Sequence, residues 1–222
     1  MSKKIEQLIF DCDGVLVDSE IIAAQVMVEL LNQHQIPITI DYYLNNCSGK
    51  TFTGLVWELP MVFNAPPLPP NFIQEVMMEH DSRVQTQLNA IPGMDELLGK
   101  IVLPKAVVSN SDLYQIEHAV QHAKLKHHFG NNLYSSQMVP NPKPSPDVYL
   151  HAAKELKVGP QSCLVVEDSI SGATAAIAAG MNVIGFMAAS HIVEGHKEKL
   201  LHLGVIATAN SAEELSSIIQ EY

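Results

Sequence analysis

With 222 residues, 47% of them hydrophobic and 17% charged, the chain can bury a sizeable core and is expected to form one domain or a core carrying an insert. Its net charge of −11 disfavours nonspecific binding to nucleic acid or to an anionic membrane, so any phosphate site has to be made locally by a cation and a few lysines. Cys12, Cys47 and Cys163 are odd in number, widely spaced and free of any CxxC pair, which points to a reducing, cytoplasmic setting and against a disulfide framework or a thiolate zinc site.

The opening Met1-Ser2-Lys3-Lys4 and the brief apolar stretch after it are too short for a signal sequence. The run Leu8-Ile9-Phe10 then stops abruptly at Asp11-Cys12-Asp13-Gly14, which predicts a short buried strand ending in two carboxylates. Ligands of open α/β sheets bind outside the carboxyl ends of the strands. Two like charges there repel unless a cation lies between them, and Mg2+ uses one or two carboxylates together with substrate phosphate oxygens. An ordinary acidic turn would use the same residue types. Cys12 alternates to the face opposite Asp11 and Asp13 and is assigned to packing.

Ile21 to Gln33 predicts a helix, and from Ser19 to about Leu88 the pattern stays helical, broken by turns and without a buried strand run. Ala65-Pro66-Pro67-Leu68-Pro69-Pro70 forms a stiff connection in it, and Asn71 to Leu88 resumes the helical pattern. Residues 19–88 are therefore expected to be an all-helical insert, with Trp57, Met77 and Met78 in its own core, and residues 1–18 and 89–222 to be the main domain.

Beyond the insert, Met94 to Lys100 is a short helix and Lys105 to Val108 a strand ending in Ser109-Asn110-Ser111-Asp112. A helix from Leu113 to Ala123 follows, with Ser111 or Asp112 as its N-cap, and then a short strand Leu133 to Ser135. Asn141-Pro142-Lys143-Pro144 is an extended loop, after which Ser145 as N-cap and Pro146 as first helical residue start a helix to about Leu156. The strand Cys163 to Val166 ends in Glu167-Asp168-Ser169. A helix Gly172 to Ala179, a strand Asn182 to Phe186, a last strand Val205 to Ala207 and a helix from Ala212 to Tyr222 complete the chain. Ile170 to Val193 lacks Asp, Glu, Lys and Arg and could mimic a membrane span, but its alanines, Gly180 and Asn182 describe a helix followed by a strand. The ten histidines show no metal-ligand spacing, and His127-His128 and the pair His118/His122 are expected on the surface.

Strands alternating with helices predict an α/β fold with a mainly parallel sheet, which delivers Asp11-Cys12-Asp13, Ser109-Asn110 and Glu167-Asp168 to one edge. Those groups suit attack on phosphorus. Asp11 would be the nucleophile, forming an aspartyl-phosphate. Asp13 would protonate the leaving alkoxide and later deprotonate water. Ser109 and the backbone N–H of Asn110 would hold phosphoryl oxygens at a helix N-terminus, and Lys143 would set a point charge against phosphate and Asp11. Asp168, helped by Glu167, would complete the acidic side that holds Mg2+. Singly, each has a plain structural alternative: a helix cap, a solvated loop lysine, charges complementing a helix dipole. Their succession, each on a loop after a strand, is what points to chemistry.

The segments Asp11-x-Asp13-Gly14-Val15-Leu16-Val17-Asp18-Ser19, Val108-Ser109-Asn110, Lys143-Pro144-x-Pro146-Asp147 and Glu167-Asp168-Ser169 resemble the motifs of the haloacid-dehalogenase-like hydrolases, and within them the β-phosphoglucomutase-like and phosphoglycolate-phosphatase-like branch. The resemblance implies a Rossmann-like core with a helical cap inserted after the first strand. It also implies a Mg2+ site made of the side chains of Asp11 and Asp168, the backbone carbonyl of Asp13 and the substrate phosphate. Members most like this sequence are phosphatases of small phosphate esters, often sugar phosphates such as 6-phosphogluconate. Many carry threonine where this chain has Val15, and valine occurs there in mutase-like members. In the cap, Gly49-Lys50 resembles a loop that meets substrate in relatives, and Glu20 and Arg83 are further candidates to reach the leaving group.

The expectation is thus a Mg2+-dependent phosphoric monoester hydrolase acting on a small phosphorylated metabolite, a monomer or weak dimer without nucleic-acid or membrane partners. A phosphosugar mutase is the alternative. A phospho-acceptor switch is less favoured, since it needs no large cap and Asp13 would make its phospho-form short-lived. Dehalogenase and phosphonatase chemistries are disfavoured because those relatives lack the aspartate that is Asp13 here.

Overall fold

A computed structural model describes residues 4–47 and 52–222, with the backbone alone for Phe52 and Thr53. Gly49 and Lys50 lie outside the described residues. Along the chain, β1 (Gln7–Phe10) precedes α1 (Ser19–Gln33), α2 (Ile40–Asn46), α3 (Phe52–Val62), α4 (Phe72–Gln87) and α5 (Met94–Lys100). Next come β2 (Lys105–Ser109), α6 (Leu113–His122), α7 (Lys126–Phe129), β3 (Leu133–Ser135), α8 (Asp147–Glu155) and β4 (Cys163–Glu167). The chain ends with α9 (Ile170–Ala178), β5 (Asn182–Phe186), α10 (His196–Leu203), β6 (Ala207–Ala209) and α11 (Ala212–Ile219). Two units separate, one of Met1–Asp18 with Asn89–Tyr222, the other of Ser19–Leu88.

The first unit is built on a six-stranded sheet in the order β3-β2-β1-β4-β5-β6, parallel at every pairing. Its strands are short apolar runs buried along almost their whole length, as expected where helices cover both faces of a parallel sheet. On one face Ile9, Val108, Val165 and Val183 pack with Val148, Tyr149 and Ala152 of α8 and Ala173 and Ala176 of α9. On the other, Phe10 meets Phe129 of α7 edge to face at 6.0 Å. The strand order turns back between β1 and β4, and the carboxyl ends beside such a switch point are where ligands of this architecture bind. The α/β, Rossmann-like class expected from sequence is the class found.

The second unit consists of α1–α4. α1 packs on α2 and α4, and α4 on α3, and the buried residues of these helices include Ile22, Val26, Tyr43, Leu55, Leu59, Phe72 and Val76. Trp57, Met77 and Met78, expected in that core, are instead 72%, 53% and 75% exposed. Helical periodicity supplies the reason. Leu55/Leu59 and Phe72/Val76 are i, i+4 pairs that claim the inner stripes, and residues one or two positions away point elsewhere.

Other departures are local. α8 starts at Asp147 with Pro146 as its cap residue, and the Ser145 hydroxyl donates to the Asp147 carboxylate (2.6 Å) rather than capping the backbone. The last strand is Ala207–Ala209 rather than Val205–Ala207, because Gly204, left-handed at φ 102°, closes α10 and Val205 and Ile206 are used to rejoin the sheet. The helices α7 and α10 are not anticipated from sequence. All three cysteines are buried and free. Among the described residues, no helix is long and apolar enough to cross a membrane.

Candidate active site

Asp11 extends the β1 ladder by one step, its N–H donating to Val166 O at 3.0 Å, so its carboxyl emerges at the end of the sheet beside Glu167. The chain then folds back at once: Leu16 and Val17 N–H both donate to Cys12 O (2.9 and 3.1 Å), and Gly14 N–H to Val17 O (2.7 Å). Gly14 is needed twice over. Its φ is +79°, and a Cβ there would lie 2.0 Å from Asp168 Oδ2.

Lys143 is the hub. Its side chain is 4% exposed, and its ammonium donates to Asp11 Oδ1 (2.6 Å), Glu167 Oε1 (2.6 Å) and Val108 O (2.9 Å), using all three of its protons. Its nitrogen also stands 4.9 Å from the centre of the Tyr149 ring. The Asn110 side-chain amide grips the Lys143 backbone both ways, Oδ1 accepting from its N–H (2.9 Å) and Nδ2 donating to its carbonyl (3.2 Å). Glu167 is fully buried with both oxygens taken. Oε1 also accepts from the Tyr149 hydroxyl (2.9 Å), and Oε2 accepts from Ser169 N–H (3.1 Å) and Oγ (3.0 Å). Only glycine fits opposite it, since a Cβ on Gly172 would lie 1.6 Å from Oε1. Glu167, grouped with the metal ligands from sequence, also anchors Lys143.

Asp13 Oδ2 accepts from the Ser111 hydroxyl (2.9 Å). Ser109 is buried, and its hydroxyl accepts from Ser111 N–H (3.0 Å). The end of β3 holds this loop from outside: Ser135 Oγ donates to Ser111 O (2.7 Å) and Ser136 Oγ to Asn110 O (2.8 Å). α6 begins beyond the loop with a capping box of Asp112 and Gln115. Asp168 is held at its side chain by His191, Nε2 to Oδ2 at 3.0 Å, and at its carbonyl by His196 Nε2 at 2.6 Å.

Burial pushes the Asp11 carboxyl well above the ordinary range, and Glu167 and Asp168 add to this against the opposing pull of Lys143. Asp168 is raised too, by burial first and then by Glu167, with His191 pulling the other way. For Lys143, burial works to lower the pKa, but the attraction of Asp11 and Glu167 more than offsets it and the ammonium is held above its usual value. Three carboxyl groups against one ammonium leave an acidic excess. Asp11, Glu167 and Asp168 each bring an oxygen within 4.8 Å of the others. Hard oxygen donors with uncompensated negative charge fit Mg2+, which needs only one or two carboxylates beside water and phosphate oxygens. On the surface, Asp95, His127 and His128 also converge, and a hydrogen bond of 2.7 Å between His128 Nε2 and Asp95 accounts for that cluster.

Asp11, Asp13, Ser109, Asn110, Lys143, Glu167 and Asp168 therefore all lie at the carboxyl ends of β1, β2 and β4 or on the Lys143 loop beside them. Glu20 and Arg83 belong to the helical unit. Glu20 is exposed in the first turn of α1, its charge adding to the burial that pushes the Tyr43 phenol to about 12. Arg83 Nε pairs with Glu79 one turn back on α4 (2.7 Å), and its Nη2 ties α4 to α1 through Glu29 (2.5 Å). Ser111, read from sequence as a candidate N-cap, and Ser169, read as the end of a motif, are given no site role there, although they bond Asp13 and Glu167. Tyr149, His191 and His196 carry no local signal, since they reach the site only through the fold.

The profile of the haloacid dehalogenase-like hydrolase family matches residues 8–186. The chain is 31% identical over 189 residues to 6-phosphogluconate phosphatase of Escherichia coli strain K12, an alignment covering 85% of each chain. Its fold is similar to that of a haloacid dehalogenase-like protein of unknown function from Agrobacterium tumefaciens C58, with TM-score 0.88 and 33% identity over 98% of both chains. A haloacid dehalogenase family hydrolase from Deinococcus radiodurans R1, solved with bound phosphate and sodium, gives TM-score 0.87 and 30% identity over 98% of this chain and 96% of that one.

Proposed function

The chain belongs to the haloacid dehalogenase-like hydrolases, and from that premise we propose that it is a Mg2+-dependent phosphatase hydrolysing a small phosphate monoester, a sugar phosphate, through an aspartyl-phosphate on Asp11. The observation that carries this is the Lys143 ammonium bonded to both Asp11 and Glu167 at the edge of the sheet. An ammonium fixed there sets a positive charge beside the phosphoryl group while it orients the carboxylate that attacks phosphorus.

Ser109 and the Asn110 N–H bind the phosphoryl oxygens, and Lys143 attracts them through its charge. Asp11 attacks phosphorus and takes the phosphoryl group as the P–O bond to the substrate breaks. Asp13 gives its proton to the leaving alkoxide, then takes one from the water that attacks the phosphorus of the aspartyl-phosphate, freeing Asp11 and phosphate. The Ser111 hydroxyl holds Asp13 for both transfers, and Glu167 with Tyr149 fixes Lys143. Asp11, Asp168 and the Asp13 carbonyl would hold Mg2+, which when bound offsets the repulsion between an anionic nucleophile and an anionic substrate. Choice of leaving group is assigned to the helical insert, residues 19–88, as a cap, with Glu20, Gly49 and Lys50 as its candidate contacts. Arg83 is a further candidate, with Nε and Nη2 paired to Glu79 and Glu29. Three free buried thiols support a cytoplasmic, reducing setting.

A screen of phosphorylated sugars and polyols for phosphate release, with Mg2+ and with EDTA, tests the proposal. Multiple turnovers that EDTA abolishes and Mg2+ restores are expected. Release indifferent to EDTA, or none from any ester by folded protein, would overturn it. An isomerised sugar phosphate formed only with a bisphosphate activator would assign the mutase instead.

A further inference from the structure

The segment after β5 and the first residue of α10 are bonded to one residue of the site in a way that catalysis does not use. His191 and His196, five positions apart, grip the side chain and the main chain of the same aspartate, at Asp168 Oδ2 (3.0 Å) and Asp168 O (2.6 Å). A carbonyl only accepts, so His196 carries its proton on Nε2. Asp168 Oδ2 is also closed in from the opposite loop, where a Cβ on Gly14 would fall 2.0 Å from it and 2.9 Å from His191 Cε1. The segment is itself tethered, for Ser190 donates from its N–H (3.1 Å) and its hydroxyl (2.5 Å) to Asp18 Oδ2. Asp18 belongs to the loop that carries Asp13. The chain from Ser190 to His196 thus ties together the two loops that bear Asp13 and Asp168.

We propose that His191 and His196 are positioning residues that preset the Asp168 carboxylate for Mg2+. His196 fixes where the main chain of Asp168 lies. His191 takes Oδ2 and so fixes the carboxylate plane. Without the imidazole, the carboxylate would turn freely in its pocket and each binding event would bear the cost of ordering it. Hydrogen-bonding partners of metal ligands are worth about 10–100-fold in metal affinity. The proposal rests on Asp168 being a Mg2+ ligand, and the experiment separates the two claims.

The Mg2+ dissociation constant is measured on substrate-free protein by calorimetric titration and by the Mg2+-dependent rise in melting temperature. Wild type is compared with His191→Met, which has no donor, with His191→Gln, which keeps one, with His196→Met, and with Asp168→Asn. His191→Met is expected to weaken Mg2+ about 10–100-fold with unchanged circular dichroism and metal-free melting temperature. His191→Gln should recover most of the loss, and His196→Met should weaken binding in the same direction. In turnover, the Mg2+ concentration for half-activation should rise while kcat at saturating Mg2+ stays near wild type. A staple that merely supports the fold would lower the metal-free melting temperature and leave Mg2+ affinity alone. Should His191→Met not fold, Ser190→Ala, which loosens the tether without touching an imidazole, is expected to weaken Mg2+ in the same assay. Loss of binding in Asp168→Asn with wild-type affinity in the histidine variants would overturn the clamp and leave the metal site standing. Wild-type affinity in Asp168→Asn would overturn both.

Discussion

Replacing Lys143 by methionine keeps the length of the side chain and removes its charge, and the structure sets out the cost. Three hydrogen bonds are lost at once, to Asp11, Glu167 and the Val108 carbonyl, from a side chain only 4% exposed. Asp11 and Glu167 are then left buried without their cation, and breaking a buried pair on one side costs about 3–5 kcal/mol. For a chain of this length that is a fall of about 6–20 °C in melting temperature. Catalysis suffers separately, because the charge aimed at the phosphoryl group is gone, and kcat should drop about 10²–10³-fold. Saturating Mg2+ should return part of the stability, because it supplies positive charge beside Asp11, and little of the activity. Thermal unfolding with and without Mg2+ and steady-state kinetics on the best ester measure both. A Lys143→Met protein within about 1 kcal/mol of wild-type stability, or turning over within tenfold of it, would refute the central place given to Lys143.

Gly172→Ala should destabilise by about 1–3 kcal/mol and depress kcat, because the new methyl displaces Glu167 from Lys143. That is opposite in sign to the stabilisation of about 1 kcal/mol that the change gives in an open helix, so a raised melting temperature would contradict the packing. Asp11 and Asp168 are both raised, so the stability they contribute is complete below the ordinary carboxylate range, about pH 4, and falls away as pH rises through their folded values. Metal-free protein should therefore lose stability as pH climbs above that range, less steeply in Asp11→Asn and with saturating Mg2+. A slope unchanged by either would count against the assignment. Burial pushes the Cys163 thiol up to about 11 and raises Cys12 as well, so neither should react with Ellman's reagent in native protein at pH 8. A fast-reacting thiol mapped to Cys12 or Cys163 would be inconsistent with their burial.

The sheet is legible in the chain because its strands are short apolar runs punctuated by polar ends. β3 and β5 have their observed bounds in the residue pattern alone, Leu133–Ser135 and Asn182–Phe186. The candidate site residues Asp11, Ser109 and Glu167 are legible for the same reason, since each stands where an apolar run stops, while Lys143 is marked instead by the prolines on either side of it. What is hidden depends on tertiary placement. Glu167 and Asp168 are neighbours, and one is bonded to Lys143, Tyr149 and Ser169 while the other lies against Gly14 and His191. Alternation along an extended chain would send the two to opposite sides, but it does not say which side holds an ammonium. Tyr149 looks like any core aromatic of α8 until the fold sets its hydroxyl on Glu167. Trp57, Met77 and Met78 show the converse: hydrophobicity suggested burial, and the stripes of Leu55/Leu59 and Phe72/Val76 had already filled the inner faces.

The most direct test of the account is to catch the phosphoryl group on the protein. Enzyme turning over its best ester is quenched in acid and reduced with borohydride, which converts an aspartyl-phosphate to homoserine, and the peptides are read by mass spectrometry. Homoserine at position 11, absent without substrate and in Asp11→Asn, is the predicted result. Homoserine at another aspartate, or an unmodified Asp11 when quenching is fast enough to trap a known acyl-phosphate enzyme run alongside, would contradict it.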